Sequence, residues 1–200
     1  MSIPKKVWTI LALLGCLLVI TVSLGLNTLP GYAKFHISIK PIQAPPWRDI
    51  GLAFLFLGLL LEIRPFQLAG CLTVIGTEIL AFISPQLYSQ IVLLLQDQDW
   101  LALLGAFNSI VLRASLILLC TFAIIKTLYF IPPAVGIVLG ASALLATLLL
   151  VHSITVTLPQ LNLGEDWAGI LLCQGNLLKY LWFMVFALDF TRTRPKYTSV

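Results

Sequence analysis

Long apolar stretches without a single charge constrain this chain more than any other feature. The run from Val7 to Leu26 has the length of about 20 residues that one helix needs to cross a bilayer. Only 10% of the 200 residues are charged, whereas a soluble domain needs roughly a quarter. Because a water-soluble fold cannot cover so much apolar surface, the sequence predicts an all-helical, polytopic transmembrane bundle.

The length of the chain allows about six spans with short loops and no soluble domain. We predict one integral membrane domain, residues 1–200, with spans at residues 7–26, 49–63, 66–84, 101–125, 132–157 and 167–188. The second span is short and Pro65 follows it. Residues 49–84 therefore fit two spans, one kinked span or a re-entrant hairpin.

The basic residues predict the orientation through the positive-inside rule. Six spans leave three cations on one side, Lys34, Lys40 and Arg48. The other side receives seven, which are Lys5, Lys6, Arg64, Lys126, Arg192, Arg194 and Lys196. Both termini are thus expected in the cytoplasm, in the cell inner membrane or in an internal membrane of organellar or thylakoid type. The first apolar run is longer than the roughly 7–15 residues of a signal-peptide core, so we expect it to be retained.

Polar residues deep in the predicted spans are the candidate ligand-binding residues, because a charge in lipid costs several kcal/mol unless it is paired or hydrated. At 1.5 Å per residue, two cations lie roughly 18 Å from the non-cytoplasmic end and four other residues lie between about 9 and 14 Å. The six are Arg113, Lys179, Glu78, His152, Asn108 and Asn176.

A polar cavity between spans three and six would bring these residues together, open to the non-cytoplasmic side. Glu78 and His152 would lie near its mouth, and Arg113 and Lys179 would form a cationic floor. Two cations against one carboxylate favour an anionic or zwitterionic ligand, such as a carboxylate, a phosphate or a lipid headgroup. In the alternative interpretation, Arg113 pairs with Glu78 only to satisfy both charges.

Three functions follow, in order of preference. The first is a small transport-type protein, or the membrane component of a transport system. The second is a non-catalytic accessory or scaffold subunit of a larger, energy-converting membrane complex. The third is an intramembrane lipid-modifying enzyme, with His152 and Glu78 as acid and base. Because the sequence contains no catalytic or nucleotide-binding motif, we expect a protein that is not an enzyme, with no catalytic residue, no cofactor and no metal.

The expected partners are the lipid bilayer and other membrane subunits. Gly136 and Gly140 belong to a face of small residues that predicts close helix packing, either within the chain or by self-association. The aromatic residues Trp182, Phe183 and Phe186 are typical of an interfacial belt or a partner surface. The cations are scattered, so no nucleic acid is expected.

Overall fold

The protein folds as a bundle of α-helices. The computed structural model describes residues 3–25, 46–126, 131–157 and 167–192, and no β-strand occurs in these ranges. The helices are α1 (Ile3–Gly25), α2 (Trp47–Leu60), α3 (Arg64–Ile83), α4 (Pro85–Gln96), α5 (Trp100–Ile125), α6 (Pro133–Thr157) and α7 (Trp167–Arg192). Five of them, α1, α3, α5, α6 and α7, are long and apolar enough to cross a membrane. The predicted all-helical fold is confirmed.

Six of these helices close a ring. Going around it, α1 contacts α2, α2 contacts α3, α3 contacts α5, α5 contacts α6, α6 contacts α7, and α7 returns to α1. Helix α4 packs on α5. Helices α1, α3 and α6 have their C-termini on the same side of the ring, which we call its upper end. Large apolar side chains are exposed on the surface of the ring, including Leu14, Leu80 and Leu148, and such a surface suits contact with lipid.

Helices α2 and α3 form an antiparallel hairpin, because Gly51 lies against Val74 while Leu55, further along α2, lies against Gly70. A Cβ added at Gly70 would lie only 2.5 Å from the backbone nitrogen of Leu55, so the two backbones nearly touch. Of the three alternatives for residues 49–84, one kinked helix is therefore excluded, and two helices lie side by side. Because α2 has only 14 residues, its first residue lies about 8 Å below the end of α3.

A tight turn joins the hairpin. Glu62 has a φ of 59°, and the N–H of Ile63 donates to the carbonyl oxygen of Gly58 at 2.9 Å. This is the Schellman arrangement, in which one residue in the left-handed region ends a helix. The second helix starts directly afterwards with Arg64 and Pro65, and proline is well tolerated in the first turn.

Arg64 fastens the lower end of α3 to α5. Its Nη2 donates to the carbonyl oxygens of Ala123 at 2.8 Å, Ile124 at 3.2 Å and Lys126 at 3.1 Å. A cation at these carbonyls satisfies acceptors that the last turn of a helix leaves unpaired. The charge of Arg64 is thus used to hold the fold.

Small residues also allow close packing around α7. Added Cβ atoms at Gly15 and Gly175 would each lie 2.7 Å from the carbonyl oxygen of the other, so α1 crosses α7 at these glycines. A Cβ at Gly140 would lie 2.4 Å from the Cβ of Ala187. The Gly136/Gly140 face thus packs against α7 at Gly140, inside the chain. Self-association and contact with other subunits stay a prediction. Because Gly140 already packs against α7, such contacts would use another surface of the protein.

Aromatic side chains fill the lower part of the ring. The ring centroids of Phe56 and Trp182 are 4.7 Å apart, and Phe186 stacks on Trp182 at 5.0 Å. The indole Nε1 of Trp182 donates to Thr9 Oγ1 at 3.1 Å. Because Trp182 and Phe183 are buried, these two side chains belong to the core and not to an interfacial belt or a partner surface. Phe186 is half-buried beside them.

Candidate functional site: a buried charge cluster

Charged side chains from four helices meet above the aromatic core. They belong to α2, α3, α5 and α7 and surround the point where α2 begins. We refer to this group as the charge cluster; its members are Arg48, Asp49, Glu78, Arg113 and Lys179. Its position follows from the shortness of α2, which puts the first turn of that helix inside the ring.

The first part of the cluster is an ion pair between α2 and α7. Lys179 Nζ donates to Asp49 Oδ1, and the two side chains are only 2% and 7% exposed. Asp49 lies in the first turn of α2, where the helix dipole favours a carboxylate. Each of the two charges is in direct contact with the opposite charge, so the pair is neutral.

The second part of the cluster is built around Glu78, whose side chain is 1% exposed. Arg113 Nη1 donates to Glu78 Oε2 at 3.0 Å, and Arg113 Nε donates to Ser109 Oγ at 3.3 Å. Arg48 Nε lies 3.8 Å from Glu78 Oε1, which is an ionic contact but too long for a hydrogen bond. Within the part of the chain that the structure describes, Glu78 Oε1 has no hydrogen-bond partner.

The two arginines are the accessible part of the cluster. The side chain of Arg48 is 34% exposed and that of Arg113 is 24% exposed. Tyr180 on α7 lies within electrostatic range of both guanidinium groups. On α1, Cys16 lies within range of Lys179 and Asp49. Helices α1, α2, α3, α5 and α7 therefore surround the cluster, and its two arginines stay partly exposed.

The cluster carries an excess of positive charge. Among the described residues, three cations face two carboxylates, and 3 − 2 leaves a net charge of +1. The excess charge lies on the two arginines, whose side chains are partly exposed. An oxyanion at this place would pair with it through charge-assisted hydrogen bonds.

Three of the predicted ligand-binding residues come together, but in two separate pairs. Arg113 and Glu78 pair with each other, as the alternative interpretation expected, and Lys179 pairs with Asp49. Lys179 and Arg113 thus do not form a common cationic floor, since each has its own carboxylate. Ligand binding at these residues stays a prediction.

The other three lie elsewhere. Asn108 Nδ2 donates to the carbonyl oxygen of Ser142 at 2.9 Å and fastens α5 to α6. Asn176 is half-buried on α7, and His152 is exposed on α6. Glu78, by contrast, is buried against Arg113. The structure therefore does not bring His152 and Glu78 together as an acid–base pair.

Sequence reasoning missed two members of the cluster, Arg48 and Asp49. It placed Arg48 in a loop and Asp49 at the membrane border. Two signals were available. The apolar part of the second span has only twelve residues, Ile50 to Leu61, so its first turn had to lie below the surface. In addition, Lys179 lies at membrane depth and was expected to need a carboxylate as its partner. Asp49 is the first residue of the shortest predicted span.

The chemistry of the cluster is that of ion binding. Guanidinium groups donate several N–H bonds in a fixed plane and match the oxygens of carboxylates and phosphates. Among the residues described by the structure, no group of three or more His, Cys, Asp and Glu side chains could hold a metal ion.

No known protein family, curated protein or solved structure matches this chain.

Proposed function

We propose that this chain is a transport-type membrane protein, or the membrane component of a transport system, that binds an anionic or zwitterionic ligand at Arg48 and Arg113. The observation that carries the proposal is the excess positive charge of the cluster, together with the partial exposure of both arginine side chains. The ligand class is an oxyanion, either a carboxylate or a phosphate group.

The donors of the two arginines support this ligand class. In the described part of the chain, Arg113 uses Nη1 on Glu78 and Nε on Ser109, which leaves Nη2 for a ligand. Arg48 contributes an ionic contact of 3.8 Å to Glu78, which a better-placed oxyanion would replace with hydrogen bonds. Charge-assisted hydrogen bonds of this kind are about twice as strong as neutral ones.

The short α2 supports a transport role. We propose six spans with both termini in the cytoplasm, in the inner membrane or an internal membrane, so that the upper end faces away from the cytoplasm. Helix α2, at about 21 Å, is then shorter than the roughly 30 Å of a bilayer core, and it begins at the cluster. Interrupted helices that begin at membrane depth are a common way to build a site for a transported ion.

A scaffold subunit of a larger complex is the second candidate, and the same charge excess supports it. A carboxylate from a neighbouring subunit would neutralise Arg48 and Arg113 as a free anion does. The two candidates differ in where the negative charge comes from. The hypothesis of a lipid-modifying enzyme has no support, because His152 and Glu78 do not form an acid–base pair.

The test is the response of the purified protein to anions. Thermal unfolding in mild detergent is measured with sodium acetate and with sodium sulfate, which stands in for a phosphate group, against sodium chloride at equal ionic strength. A ligand at a hundred times its Kd stabilises a protein by about 2.7 kcal/mol, so the unfolding midpoint should rise. Arg113→Gln should abolish this rise, whereas the control Arg64→Gln should keep it because Arg64 serves the end of α5.

Native mass spectrometry of the same preparation separates the sources of the anion. A retained anionic lipid identifies a headgroup as the ligand, and a response to acetate or sulfate alone identifies a free anion. A protein partner in fixed stoichiometry, without any anion response, would replace the proposal with the scaffold subunit. Absence of response, lipid and partner together would also overturn it.

A further inference from the structure

Glu78 occupies an unusual position for a buried carboxylate. Its side chain is almost fully enclosed, at 1% exposed, yet among the described residues only its Oε2 accepts a hydrogen bond, from Arg113. Oε1 is buried and has no hydrogen-bond donor among the described residues, and Arg48 Nε lies 3.8 Å from it. A buried polar atom without a partner is costly, so a proton or a ligand that bonds to this oxygen would stabilise the site.

We infer that the binding of an anion at Arg48 and Arg113 is coupled to protonation of Glu78 at Oε1, so that the site takes up an anion and a proton together. This inference rests on the proposed function and adds to it the coupling ion. The step is an acid–base reaction in which a proton from water forms an O–H bond with a lone pair of Oε1. It returns to water when the anion leaves.

The physical reason is competition for the guanidinium groups. In the structure, Glu78 has Arg113 and Arg48 as its only described charged contacts. An arriving oxyanion needs the same donors and brings a second negative charge next to Glu78. Two negative charges in one enclosed site favour protonation of one of them. Protonated Glu78 also gains an O–H at the oxygen that lacked a partner.

The other charged and titratable groups around Glu78 are less suited to hold the proton. Asp49 on α2 is bonded directly to Lys179 of α7, so protonation would break a closed pair. Cys120 on α5 lies within electrostatic range of Glu78. Tyr180 on α7 lies within range of the two arginines, and Cys16 on α1 lies within range of the Asp49–Lys179 pair. Among the described residues, the groups in ionic contact with Glu78 are the two arginines. Glu78 is therefore the group at which a proton balances an incoming anion.

The experiment measures the Kd for acetate and for sulfate, by thermal shift, from about pH 6 to about pH 8.5, where both probes stay ionised. If one proton is taken up with each anion, binding should weaken by about tenfold for each unit of pH, over the range in which Glu78 is ionised before the anion binds and protonated afterwards. In Glu78→Gln, which resembles the protonated form, binding should be tight and independent of pH. His152→Ala serves as the control and should keep the pH dependence of the wild type.

Each result separates the two proposals. Binding that is independent of pH in the wild type overturns proton coupling and leaves the anion site standing, whereas no binding at any pH overturns the anion site. Infrared difference spectra add a test that needs no variant. Addition of the anion should produce the C=O stretch of a protonated carboxyl group, and ¹³C-labelled glutamate should shift that band. A band that does not shift would exclude Glu78 as the proton site.

Discussion

The two parts of the charge cluster lie next to each other and differ in how their charges are paired and how far they are exposed. In the Asp49–Lys179 pair, both side chains are nearly inaccessible, at 7% and 2% exposed, and one cation meets one carboxylate. Around Glu78, one carboxylate meets two arginines whose side chains are 24% and 34% exposed. The first part is neutral and sealed, whereas the second is positive and accessible.

This difference separates a structural pair from a binding site more clearly than depth does. Lys179 and Arg113 lie at similar predicted depths, and both would be functional candidates by that measure alone. The neighbours decide between them. A matched, enclosed pair has no capacity for another ion, whereas an unmatched guanidinium with accessible surface can bind one. Substitutions in the two parts should therefore have different effects.

The largest effect is expected at the sealed pair. Lys179→Met removes the only hydrogen-bonded partner described for Asp49 and leaves this buried carboxylate with the weaker electrostatic contact of Arg48. Loss of one partner of a buried ion pair costs about 3–5 kcal/mol. Unfolding in mixed detergent micelles with increasing SDS measures the free energy. The exposed Lys6 on α1 provides the control, since Lys6→Met should change it little.

The double variant Asp49→Asn with Lys179→Met checks the cause of that loss. Because it leaves no unpaired charge, most of the stability should return. It should also keep the anion response, since Arg48 and Arg113 remain. If the double variant is as unstable as Lys179→Met, burial of an unpaired charge is not the reason for the loss.

An intermediate effect is expected from the α2–α3 contact, which holds Arg48 next to Glu78. A Cβ at Gly70 would collide with the backbone of α2, at 2.5 Å from Leu55 N, whereas nothing lies within 4 Å of a Cβ at Gly76. Gly70→Ala should lose about 1–3 kcal/mol through overpacking and weaken the anion response. Gly76→Ala should gain up to about 1 kcal/mol, because alanine favours a helix.

The SDS titration and the anion thermal shift measure both effects on the same helix. Equal stabilities for the two alanine variants would show that α2 can move away from α3 without cost. In that case the position of Arg48 would not depend on this contact.

Much of the fold was predictable because its signals are local. Apolar runs and prolines predicted the helices, and the positions of Arg113, Lys179 and Glu78 in their spans indicated an interior location. The pairing was not predictable, since it depends on how far α2 is displaced along α3. That displacement is set by contacts such as Gly70 on Leu55, which join residues distant in sequence. A charge at a predicted border, such as Asp49, therefore looked peripheral.

The smallest effect is expected from His152→Ala. His152 is exposed on α6, and the described hydrogen bond at this residue joins its carbonyl oxygen to Thr155 Oγ1, so the imidazole is not involved. Exposed substitutions of this kind change stability by about 0.5 kcal/mol or less. Both the SDS titration and the anion response should match the wild type. A lost anion response would place His152 at the binding site, and a lipid turnover that disappears with it would restore the enzyme hypothesis. Either outcome would contradict the assignment of the function to the arginines around Glu78, because the function would then depend on an accessible histidine outside the charge cluster.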